Sequence, residues 1–163
     1  MTSQDRPKSA SCHPGAGCTL IKVMIVVTIV AILAAVAYPS YQEQVRKSRR
    51  GEAKAALLKT MQAQEKYYTQ FNRYFAFDTS TSLAQTPFRA FSGDTSAASS
   101  HSITAAACGS GPGENIDACV RVTAIPGEAV GGMAFANAKC GHLTLSSTGV
   151  KAASGPHGVK CWQ

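Results

Sequence analysis

The sequence predicts an α+β protein in which one long N-terminal helix, membrane-spanning in its first half and amphipathic in its second, packs on a small antiparallel β-sheet head. Three observations carry that reading. Residues 20–37 are apolar apart from Lys22 and Thr28. Beyond them, Ala53, Leu57, Met61, Gln64, Tyr68 and Phe71 recur at three- and four-residue intervals, the spacing of one helix face. After residue 100 the pattern changes to alternation, interrupted by Gly and Pro, as in half-buried strands.

A chain of 163 residues argues for one domain. With 45% hydrophobic and 15% charged residues it is neither repetitive, collagen-like nor disordered overall. The formal charge is +7, and much of the excess sits at Arg46, Lys47, Arg49 and Arg50, just after the apolar run. Such a cluster fits a solvated helix face, an anionic membrane surface or nucleic acid. Of six cysteines, Cys12 and Cys18 precede the apolar run, whereas Cys108, Cys119, Cys140 and Cys161 fall in the head. The even set in the head suggests disulfides and an oxidising compartment. The absence of C-x-x-C spacing speaks against zinc.

Eighteen apolar-run residues at about 1.5 Å each reach roughly 27 Å, close to the thickness of a bilayer core. A cleaved signal peptide is the rival, with Ala34, Ala35 and Ala37 imitating its cleavage site. The chain instead continues as an amphipathic helix over residues 40–71, with no polar break beyond Pro39, where a break or kink is expected. A lipoprotein signal at Gly17 and Cys18 fails on order, because the apolar run follows the cysteine. On the second helical half, Glu43 and Lys47 form an expected i,i+4 pair. The closing aromatics Tyr67, Tyr68, Phe71, Tyr74, Phe75 and Phe77 read chiefly as core, with a binding patch as the alternative.

Residues 17–41, GCTLIKVMIVVTIVAILAAVAYPSY, resemble the N-terminal segment of type IV prepilins. A short polar leader ends in Gly17, Thr19, Leu20 and Ile21 match the motif that follows, and Pro39 falls at mature position 22. The stretch from Tyr38 to Phe75 and the C-terminal run CGHLTLSSTGVKAASGPHGVKCW are similar to the PilE type of minor pilin. The resemblance implies a type IV pilin-like fold. It divides the chain into a leader (1–17), a transmembrane and filament-core helix (18–38), an amphipathic helix (39–75), a connecting loop (76–100) and a β-sheet head (101–163). It also implies cleavage by prepilin peptidase between Gly17 and Cys18, and methylation of the Cys18 amine. Implied partners are other pilin subunits in a helical filament and an inner-membrane assembly platform. The implied location is a single-pass inner-membrane protein with a periplasmic head, then an extracellular pilus serving twitching motility, adhesion or DNA uptake.

Two positions depart from the family. Its usual first mature residue is Phe, here Cys18, a small and fairly apolar substitute. Its fifth is Glu, which in the family pairs with a neighbouring subunit's amino terminus. Here that position is Lys22, which reverses the sign. A Lys deep in a membrane helix costs about 2.5–3.5 kcal/mol on insertion scales, but near the end it snorkels to the surface. Cleavage is expected to survive because the Gly17 motif is intact, and assembly to be impaired or confined to a special position such as a tip.

Strands are expected over residues 101–108, 119–125 and 142–146, with 133–138 a weaker candidate. The four head cysteines allow three pairings. Cys108 with Cys119 suits the base of a hairpin, and Cys140 with Cys161 resembles the family's C-terminal disulfide loop, a closure worth about 3 kcal/mol.

No catalytic, cofactor or metal constellation stands out. His13, His101, His142 and His157 are scattered, and solvated or turn positions are expected for them. GSGPG at 109–113 follows no βα unit and reads as a turn, and Asp94, Glu114 and Asp117 are too spread for a calcium loop. The expected function is therefore structural, not enzymatic: a minor pilin. A type II secretion pseudopilin and a DNA-binding competence pilin are the alternatives. For the last, Lys139, Lys151 and Lys160 are the candidate phosphate contacts, although no ordered basic stripe with interleaved aromatics is legible.

Overall fold

The computed structural model describes residues 20–81, 87–109, 115–127 and 135–163. They fall into two compact units, Met1–Gln42 and Glu43–Gln163. A single helix, α1 (Leu20–Phe71), belongs to both.

In the first unit α1 exposes its apolar side chains all round, from Leu20 to Tyr41. The segment is long and apolar enough to cross a membrane. Within it the Thr28 hydroxyl donates to the Met24 carbonyl at 2.8 Å, which satisfies the one neutral polar side chain of residues 20–37. The helix runs through Pro39 without interruption. Losing a single backbone donor does not end it.

In the second unit α1 buries Ala53, Leu57, Thr60, Met61 and Gln64. The spacing is the expected one, but the face is rotated slightly: Thr60 is inside, and Phe71 is 56% exposed. Asn72 leaves the helix at φ 55°, its N–H still bonded to the Tyr68 carbonyl at 2.8 Å, so residues 72–75 are not helical. Gln64 fastens the chain as it turns back. Its Nε2 donates to the Phe75 carbonyl at 2.6 Å, and its Oε1 accepts from the Phe75 N–H at 2.9 Å. Phe88 stacks with Phe75 and Phe77 at 5.7 and 5.4 Å between ring centroids, and Tyr68 with Tyr74 at 4.7 Å. The aromatic cluster is thus mainly core.

Four antiparallel strands follow in the order β1-β2-β3-β4: β1 (His101–Ala107), β2 (Val120–Pro126), β3 (Leu143–Ser146) and β4 (Lys151–Ala153). Ile103 and Ala105 of β1, Val120, Val122 and Ala124 of β2, and Leu143 and Leu145 of β3 are buried with Leu57 and Met61 of α1. Period-two side chains meeting a helix stripe form one core. The free edge of β1 is covered at Phe77 and Phe91, which bridge to Ala105 and Ser102.

The structure corrects several expectations. Residues 135–138 form no strand, and 133 and 134 lie outside the described residues, as do Gly17, Cys18, His13 and most of the GSGPG turn. β4 is additional; it is short, mostly exposed and without apolar alternation, so only its pairing with β3 defines it. His101 is fully buried rather than solvated.

Candidate functional site

Two disulfides shape the head. Cys108 and Cys119 continue the β1–β2 register one step past the pair Ala107 and Val120, with Cα atoms 5.4 Å apart. Cys140 and Cys161, 5.8 Å apart, close the segment carrying β3, β4 and a short 3-10 helix, Gly158–Trp162. Gly155 crosses this loop so closely that a Cβ there would stand 2.5 Å from the Lys139 carbonyl oxygen and the Cys140 carbonyl carbon. Only glycine fits that crossing.

The closed segment lies beside α1 and leaves a cleft of about 390 Å³. Lys47, Arg50 and Lys54 enter it from α1, at the i, i+3 and i+7 spacing of one helix face. Lys139, Lys160 and His157 enter from the disulfide-closed side. The expected pair of Glu43 with Lys47 is replaced. Glu43 is 3.8 Å from Arg46, 3.5 Å from Arg50 and 3.6 Å from Lys139. Partial loss of water pushes the Glu43 carboxyl up, but the charges of Lys139 and Arg50 win and hold it below the usual carboxylate range.

The other cations are crowded. Arg50 Nη1 reaches Cys140 Sγ at 3.7 Å, and Lys54 Nζ donates to the Gln163 carbonyl at 3.0 Å. Loss of water, then the nearby charges of Arg50 and Lys151, lower the Lys54 pKa. Lys151 stands 5.6 Å over the Trp162 ring, whose N–H donates to the Ala152 carbonyl at 2.9 Å. An aromatic is therefore set against one of the basic groups, though the linear sequence shows no such interleaving.

Lys139 and Lys160 thus share one cleft, with Lys151 alongside and charge-coupled to Lys54. Sequence reasoning named Lys47 and Arg50 only within a basic helix cluster and missed Lys54 and Glu43 as members. The helical spacing of Lys47, Arg50 and Lys54 was the available signal. Lys22 is exposed in the first unit. Among the described residues no group of His, Cys, Asp or Glu is arranged to hold a metal. A surface that can gather several oxyanions is what the geometry provides.

Residues 39–144, more than half of the chain, match the model of the family described as type IV minor pilin ComP, DNA uptake sequence receptor. The chain is 41% identical over 61 residues to the type IV major pilin protein PilA of Myxococcus xanthus, covering 37% of this chain and 28% of that one. It is 38% identical over 71 residues to a type IV major pilin protein PilE1 of Neisseria gonorrhoeae, covering 44% and 43%. The matched stretches therefore span less than half the length of these curated relatives. Among solved structures, a type IV pilin from Shewanella oneidensis has a TM-score of 0.38 at 22% identity, over 64% of this chain and 88% of that one. The non-core minor pilin PilV of Neisseria meningitidis has a TM-score of 0.40 at 20% identity, over 69% and 89%. The sequence match over residues 39–144 settles the family: this chain belongs to the ComP family of type IV minor pilins.

Proposed function

We propose that this protein is a minor structural subunit of a type IV pilus whose basic cleft binds DNA during uptake. The observation that carries the reading is the convergence of Lys47, Arg50, Lys54, Lys139 and Lys160 on one cleft, beside the Lys151–Trp162 pair. Clustered cations bind a phosphate backbone largely by releasing its counterions. An indole face offers a base a stacking surface. The family's description as a DNA uptake sequence receptor agrees with that chemistry.

The rest of the reading follows the family. The apolar half of α1 anchors the subunit in the inner membrane, with the head in the periplasm, and later packs against other pilins in the fibre. Prepilin peptidase cuts between Gly17 and Cys18, the new amine is methylated, and the assembly platform receives the product. An N-terminal mass for the mature chain that begins elsewhere than Cys18 would overturn the processing.

DNA binding is tested with the full chain in non-ionic detergent, titrated with a labelled duplex over a range of salt concentrations. The log–log slope is expected at roughly −0.9 per phosphate neutralised. Lys139→Gln with Lys160→Gln should weaken binding and flatten the slope by roughly 2 if each contacts one phosphate. Absence of binding at low salt, or binding indifferent to both substitutions, would remove the cleft as the DNA site.

A further inference from the structure

Among the described residues lining the basic cleft, Glu43 carries the one carboxylate side chain. It is not a peripheral charge. One oxygen, Oε2, lies 3.6 Å from Lys139 Nζ and 3.8 Å from Arg46 Nη1, and the other, Oε1, lies 3.5 Å from Arg50 Nη2. It therefore joins two turns of α1 to the residue that precedes Cys140 on the disulfide-closed segment.

These separations decide what the arrangement does. Charge-assisted bonds at their strongest are about 2.7–2.9 Å long. All three pairs are longer, and one carboxylate offsets only one of the three positive charges, so much of the cations' hydrogen-bonding capacity stays unspent. Lys139 keeps 55% of its side chain exposed and Glu43 32%, so an incoming oxyanion can reach both. Arg50 is better covered at 14%, and its other contact is the weakly accepting sulfur of Cys140. A phosphate offers Arg50 and Lys139 a stronger acceptor than either has now. To take them it must displace Glu43.

We propose that Glu43 is an internal counter-ion, a positioning residue that occupies Arg50 and Lys139 in the free subunit and is exchanged for a DNA phosphate on binding. The inference rests on the DNA-binding reading of the same cleft. Its consequence is a threshold. A polyanion making many simultaneous contacts displaces the carboxylate, whereas a single small anion gains little from doing so. Because Glu43 offsets one positive charge of the cleft, binding releases fewer of the DNA's counterions, so the wild-type salt dependence is shallower than the cation count implies.

The experiment compares the full-length wild type with Glu43→Gln in non-ionic detergent, binding one labelled duplex over a series of salt concentrations. Glutamine keeps the shape and removes the charge. The expected result is binding tighter by at least about threefold, the scale of one exposed ion pair. The salt slope should also steepen by roughly 0.9, for the one positive charge that Glu43 no longer offsets. Lys139→Gln supplies the second measurement, since it should cost more affinity in the Glu43→Gln background than in the wild type. Were Glu43 merely a strut holding the C-terminal segment to α1, Glu43→Gln would bind no tighter, with an unchanged slope and no dependence between the two substitutions. That result overturns the proposal while leaving the DNA reading intact. No binding by wild type or variant at low salt overturns both.

Discussion

His101 shows how far a residue's role departs from its type. It is fully buried at the start of β1, where its Nδ1 meets the Ser100 hydroxyl at 2.9 Å and its Nε2 has no hydrogen-bond partner among the described residues. Burial, with a smaller push from the Arg49 charge, lowers its pKa to about 4. The folded state thus binds this proton less readily than the unfolded chain, whose imidazole titrates near 6.5. The resulting stability is fully present above about 6.5 and is lost as pH falls toward about 4. Thermal melts should show a loss approaching about 3 kcal/mol across that window. His101→Gln, which cannot take up the proton, should flatten it. An unchanged pH profile in that variant would assign the acid sensitivity to other groups. Asp78 acts in a lower window. Side-chain bonds from Ser80 and Thr81 hold its carboxyl at about 2, so the stability it adds is present above about 4 and fades only as pH falls toward 2.

At the scale of elements, the part of the C-terminal segment beyond β3 depends on its covalent closure more than on its core. β4 has three residues, none fully buried, and the 3-10 helix buries only Cys161. Opening the disulfide with Cys140→Ser and Cys161→Ser should cost about 2–4 kcal/mol in denaturant unfolding. The segment also positions Lys139 and Lys160, so DNA affinity should fall with it. Retained affinity would show that the cleft does not need the closed loop. By contrast, α1 is held on the sheet by packing. Leu57 is wholly inaccessible, and Leu57→Ala should cost about 2–5 kcal/mol, read from the shift in denaturation midpoint. A loss below 1 kcal/mol would mean that the core around Leu57 collapses to fill the space.

For the whole molecule the open charge is Lys22. Its side chain is exposed on the apolar half of α1, where a filament core would bury it. We expect Lys22→Glu to raise the amount of this subunit recovered in sheared filaments from a host with a working pilus system. Equal recovery of both forms would show that the charge at residue 22 does not limit assembly.

The division between local and tertiary information runs through particular residues. Leu20 to Ala37 declares a helix long and apolar enough to cross a membrane by composition alone, because no partner is needed for eighteen mostly apolar residues to prefer a bilayer. Ala53, Leu57 and Met61, like Val120, Val122 and Ala124, declare helix and strand because their periods, near 3.6 and 2, are properties of the local backbone. The even set of head cysteines and the three principal strands were legible too. Tertiary structure decided the rest. β4 exists through its pairing with β3, His101 is buried because Phe91 and Ser92 fold back over the edge of β1, and Glu43 turns from Lys47 to Lys139. Lys54 and Lys160, more than a hundred residues apart in sequence, become neighbours in one cleft only once the disulfide-closed segment lies beside α1. A charge carries no period that reveals its partner, so where cations converge is settled by packing.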